Sequence, residues 1–78
     1  MKTLQNIFSN ISLSEIDSLK DVEDSQIYME FLSSYPNLSE IFRSGIKRDK
    51  QEFNRTIKHI FRSIKIYLKL LNLIQLYL

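Results

Sequence analysis

Residues 48–77 read RDKQEFNRTIKHIFRSIKIYLKLLNLIQLY, from Arg48 to Tyr77, with no glycine or proline to break a helix. Phe53, Ile57, Ile60, Phe61, Ile64, Leu68 and Leu71 recur at steps of three and four, the spacing that places side chains on one helical face. Arg48, Gln51, Arg55, Lys58, Arg62, Lys65, Lys69 and Asn72 recur the same way on the other side. The pattern predicts one long amphipathic helix, apolar along one stripe and basic along another.

Such a helix is too long for its domain. Thirty residues span about 45 Å at 1.5 Å per residue. A chain of this size packs to a radius of gyration of about 11–12 Å, a diameter of roughly 30 Å. The carboxyl end should therefore overhang. There the sequence turns apolar on a second face, with Ile66, Leu70, Leu73 and Tyr77 at steps of four, three and four. Burial of such side chains is worth about 1.5–3 kcal/mol each, so water is a costly place to leave them. The helix could break near Ser63 and fold back, pair with a second copy, dock on another protein, or lie on a membrane surface. With nothing in residues 46–78 to cause a break, we expect a protein partner or a homodimer.

The residues before the long helix read as three or four short ones. Leu4, Ile7, Phe8 and Ile11 fit a helix over about residues 3–10, with Thr3 as N-cap. Ser12-Leu13-Ser14-Glu15 fits a capping box, with Leu13, Ile16 and Leu19 on the buried face. Asp21-Val22-Glu23-Asp24 reads as the acidic entry to a third helix, its charges set against the positive end of the helix dipole. Ile27, Tyr28, Phe31, Leu32 and Tyr35 form that helix's apolar side, Met29 lies at its flank, and Pro36 ends it. Asn37-Leu38-Ser39-Glu40 repeats the capping pattern, with Leu38, Ile41 and Phe42 inward and Gly45 as the left-handed terminator.

Composition narrows the function classes. The 78 residues amount to one domain, residues 1–78, near the lower limit for a self-sufficient core. Cysteine is absent, which removes disulfide and thiolate chemistry and gives no reason to expect secretion. A single glycine cannot build a phosphate-cradling loop, and one glycine with one proline suits no β-barrel or sandwich. Met1 to Asn6 is too polar for a secretory signal, and the run Ile64–Leu78 is too short and too interrupted to span a bilayer. We therefore expect a cytoplasmic protein.

No catalytic constellation emerges. His59 is the sole histidine and lacks the converging ligands of a metal site. Asp17, Asp21, Glu23 and Asp24 are accounted for by helix capping, and no serine lies in a nucleophile motif. We expect no enzyme, no cofactor, no metal and no small-molecule substrate.

Charge splits the chain. Residues 1–45 carry three basic and seven acidic groups, a net −4, and residues 46–78 eight basic and two acidic, a net +6. Arg48, Arg55, Lys58, Arg62, Lys65 and Lys69 form a candidate basic surface for nucleic-acid phosphates, an acidic protein or anionic headgroups; alternatively they form an ordinary solvated face, partly neutralised by the acidic half. A helix-turn-helix reader is disfavoured, because Arg48 to Glu52 offers no apolar anchor before Phe53. Tyr28 and Tyr35, seven residues apart, are candidate interface aromatics or core-edge residues.

The expected protein is thus all-α, a small helical domain of four or five helices built on a long C-terminal amphipathic helix. Its expected function is protein–protein interaction through apolar helix faces with charged steering surfaces. A small regulator or inhibitor from a phage or other mobile element suits the size and composition. Nucleic-acid binding through the basic face is the alternative, and a membrane surface the least favoured partner. No motif points to a particular family.

Overall fold

In the computed structural model, which describes residues 2–46 and 49–77, the short elements clasp one side of a single long helix. The order is α1 (Leu4–Phe8), α2 (Leu13–Asp17), a 3-10 turn (Val22–Asp24), α3 (Gln26–Ser34), α4 (Pro36–Ile41), a π-helical turn (Phe42–Ile46) and α5 (Lys50–Tyr77). The described residues are all-α, with no strand, and α5 is the predicted long helix.

Local chemistry sets most of the boundaries. The Thr3 hydroxyl accepts the Asn6 amide at 3.2 Å and opens α1. At α2 the Ser12 hydroxyl accepts the Glu15 amide, and the Glu15 carboxylate accepts the Ser12 amide, both at 3.1 Å. That is the reciprocal box predicted for Ser12 and Glu15. At α5 the Asp49 carboxylate accepts the Glu52 amide at 2.8 Å, a cap set by an aspartate that the sequence pattern had not distinguished.

Three expectations need correction. Residues 21–24 do not enter α3. They form a separate 3-10 turn capped by Asp21, and Ser25 opens α3 by accepting the Tyr28 amide. Asn37–Glu40 makes no capping box. Pro36 is the first residue of α4, where its missing N–H costs nothing, and Tyr35 precedes it in a non-helical conformation. Gly45 is no left-handed terminator. It lies within the π turn that continues α4, and no glycine among the described residues has a positive φ. Phe42 is buried as expected, whereas Ile41, expected inward, is exposed at the end of α4.

The core is aromatic. Phe8 of α1, Phe31 of α3 and Phe61 of α5 meet edge to face, with centroids 6.1 Å apart for Phe8–Phe31 and 5.5 Å for the other two pairs. Phe31 also stacks on Phe42 and tilts against Tyr35, while Tyr28 meets Phe53 at 6.0 Å. Ile7, Ile16, Val22, Ile27 and Ile57 complete the buried set. Of the predicted α5 stripe, Phe53, Ile57 and Phe61 are buried in this core, Ile60, Ile64 and Leu68 pack half-buried against it, and Leu71 is half-buried past it.

Polar clips hold the clasp. The buried Ser34 hydroxyl accepts the Lys2 amide, and the Lys2 ammonium pairs with Glu30 at 3.1 Å. The Asn54 amide group accepts the Val22 N–H at 3.0 Å and donates to the Lys20 carbonyl at 3.2 Å. Asn54 thereby fixes the loop between α2 and the 3-10 turn against α5.

Phe61→Ala should cost about 3–5 kcal/mol, against a total stability of about 4–12 kcal/mol for a chain of this length. Urea denaturation followed by far-ultraviolet circular dichroism should show a transition moved strongly to lower urea or lost. Met29→Ala, at a solvent-exposed site, should stay within about 0.5 kcal/mol of the parent.

Candidate interaction surface

The 28 residues of α5 span about 42 Å. That matches the longest dimension of the molecule, 43 Å, against 25 and 19 Å for the other two. The radius of gyration is 13.1 Å, above the ~11.5 Å of a compact chain this long. The short helices reach along α5 as far as Ile64, Lys65 and Leu68. Beyond them α5 continues unbroken, so the break near Ser63 does not occur.

On this segment Leu70, Leu73 and Ile74 are exposed, as are Ile66 and Tyr67 on the outer side of the turn just before it, all five at 41–61%. At 100° per residue they fall within an arc of about 120° on the side away from the core. Ile66, Leu70 and Leu73 were predicted here. Tyr77 continues their line in α5, but its side chain lies outside the described residues. Tyr67 and Ile74 were missed; their seven-residue separation places them on the flank of that line and could have revealed them. The other strongly exposed apolar residues, Met29 and Ile41, lie on different helices and form no part of this patch.

The two tyrosines proposed for the interface sit elsewhere. Tyr28 is buried against Phe53, and burial raises its phenol above the ordinary value, with the Glu23 carboxylate adding to the effect. Tyr35 is half-buried beside Phe31. Both belong to the aromatic core and its edge.

Three of the six candidate cations of the basic stripe are used by the fold. Lys58 donates to the Asp17 carbonyl at 3.1 Å, Arg62 pairs with the Asp17 carboxylate, and Lys65 donates to the Phe8 carbonyl at 2.7 Å. Asp17 and Phe8 are the last residues of α2 and α1. Lys58 and Lys65 thus meet the carbonyl ends of two short helices, where the helix dipole favours positive charge, and Arg62 meets the side chain of the last α2 residue. Arg55 and Lys69 remain exposed, and Arg48 lies outside the described residues.

A further ion pair joins Lys50 to Asp21 at 2.6 Å. The Lys50 ammonium holds the Asp21 carboxyl below its ordinary range, and Asp21 in turn raises Lys50. Glu30 is likewise lowered, by Lys2 and then Gln26.

His59 is exposed, and its carbonyl accepts the Ser63 hydroxyl. Among the described residues no three His, Asp or Glu side chains gather to hold a metal ion, and no helix is long and apolar enough to cross a membrane. One surface hollow is lined by Ile11, Ser14, Glu15, Ser18 and Leu19, and a second includes Ile7, Ile27 and Glu30. Neither contains a nucleophile paired with a base. No protein-family model, curated protein or solved structure matches this chain.

A lowered carboxyl stabilises the fold above its unfolded value, about 4, and that contribution is lost as the pH falls through the lower folded value. Melting temperature followed from pH 7 to pH 2 should fall in the acid range. Asp21→Asn should reduce this acid dependence and lower stability at neutral pH.

Proposed function

We propose that this protein is a non-enzymatic interaction module that docks through the projecting end of α5. The observation that carries this reading is the cluster of Ile66, Tyr67, Leu70, Leu73 and Ile74, all exposed on one arc of a helix that extends past its own core. Contiguous exposed apolar surface of this kind marks an interface, whereas single exposed apolar residues do not. The core is formed without these side chains, so their burial adds free energy to association rather than to folding. The acidic short helices and the exposed Arg55 and Lys69 would orient the partner and exclude like-charged surfaces. A small regulator or inhibitor, as phages and other mobile elements encode, fits a module of 78 residues with a single docking face.

The nucleic-acid alternative has less support. Of its six candidate cations, Lys58, Arg62 and Lys65 already bond to α1 and α2. Phosphate contact through them would compete with bonds that hold the short helices in place.

A photo-reactive phenylalanine analogue placed at Leu70, in the cells that make the protein, tests the docking reading. We expect discrete protein adducts on irradiation, and none from the same group at the exposed Gln5 on α1. Irradiation that gives no discrete adduct at Leu70 would defeat the proposal.

A further inference from the structure

We infer that the projecting end of α5 pairs antiparallel with the same segment of a second copy of this chain. The inference rests on the docking reading above and names the partner. Three observations carry it.

The first is the form of the patch. Ile66, Leu70 and Leu73, with position 77 next in line, are spaced four, three and four apart, the seam along which two helices interlock side chains. Tyr67 and Ile74 widen one edge of that seam. A helix offering a seam of this kind is complemented by another helix with the same spacing, and each copy of the chain carries one.

The second is charge. No acidic residue occurs after Glu52, and Lys69 is the only ionic side chain between residues 66 and 77. Lys69 sits to the side of the seam, so self-pairing buries no ion and faces no like charge. The same line continued toward the start of α5 meets Ser63, His59 and Glu52. Parallel pairing would set Glu52 against Glu52 and His59 against His59. Antiparallel pairing through the apolar segments sets position 66 level with position 77 and keeps Glu52 and His59 of one copy far from those of the other. It also places the two bodies at opposite ends, related by a two-fold axis, the commonest closed symmetry of small assemblies.

The third is area. At 41–61% exposure the five side chains leave roughly 500 Å² per copy. Full cover of these side chains in two copies would bury about 1,000 Å², in the range of weak, transient interfaces. A dimer of that size is reversible and depends on protein concentration.

Sedimentation velocity of the full chain, from about 5 to 200 µM, tests the pairing. The mean mass should rise toward that of a dimer and no further. Leu70→Glu with Leu73→Glu should lower the dimer fraction about 10-fold or more at the highest concentration, a loss of at least ~1.4 kcal/mol. Circular dichroism should show that the variant stays helical; should it not, Leu73→Ser alone should still shift the equilibrium toward monomer.

Because the chain has no cysteine, orientation can be read by disulfide trapping. In the antiparallel pairing, Leu70→Cys mixed with Leu73→Cys should give chiefly the mixed disulfide. Ile66→Cys should not link to itself, since the two copies of that position lie about 16 Å apart along the axis, too far for a disulfide. A wild type that stays monomeric throughout overturns the inference, as do open-ended aggregates, efficient Ile66→Cys self-linking, or a monomer that binds phosphatidylserine vesicles through this face. In the monomeric case, adducts from Leu70 to a different protein would leave the docking reading standing, whereas no adduct would defeat both.

Discussion

Phe61 meets Phe8 and Phe31 in one edge-to-face cluster, and the rest of the molecule is arranged around that contact. It joins α1, α3 and α5 at a single buried point, midway along α5. None of the three helices could supply a core alone. α1 has five residues and α3 nine, lengths at which an isolated helix does not persist in water. Aromatic rings suit the task because each buries a large apolar area and prefers the edge-to-face contacts that three converging elements can provide. Phe31 extends the cluster to Phe42 and Tyr35, bringing α4 and the π turn into the same core.

The charge division of the chain follows from the same architecture. The two very short helices end at Phe8 and Asp17, and α5 supplies Lys65 and Lys58 to those carbonyls and Arg62 to the Asp17 carboxylate. Lys58 and Lys65 therefore serve as external caps for α2 and α1. The acidic residues Asp17 and Asp21 answer cations on α5 from the other side. Exposed ion pairs are individually weak, but here they add to hydrogen bonds on helix termini and to the Asn54 bridge, and together they fix the register of the clasp along α5.

Much of this was legible in the residues, for physical reasons that differ from element to element. The Ser12–Glu15 box is local, needing only two side chains three residues apart, and it formed as read. The α5 stripe was legible because nothing in 28 residues interrupts its period. What was misread involves competition between neighbours. Asp21 and Ser25 both can cap; Asp21 took the 3-10 turn and Ser25 took α3. Pro36 pre-empted Asn37 because a proline fixes its own backbone angle at the first helical position. The roles of Lys58, Arg62 and Lys65 were hidden, since their partners lie 41 to 57 residues away in sequence. Of the candidate surface, Ile66, Leu70 and Leu73 are exposed on one arc of α5, while Tyr28 and Tyr35 took the core and core-edge places that their helix had to fill.

The central claim is that one continuous helix serves two surfaces: its first half completes a core, and its last turns stand outside it. Amide hydrogen exchange along α5, followed at two protein concentrations, tests this most directly. The account predicts slow exchange from Phe53 to Leu68 at both concentrations, faster exchange from Leu70 onward in dilute solution, and protection of that outer segment as concentration rises. Equal, concentration-independent protection along the whole of α5, or a sharp loss of protection at Ser63 marking a break, would contradict it.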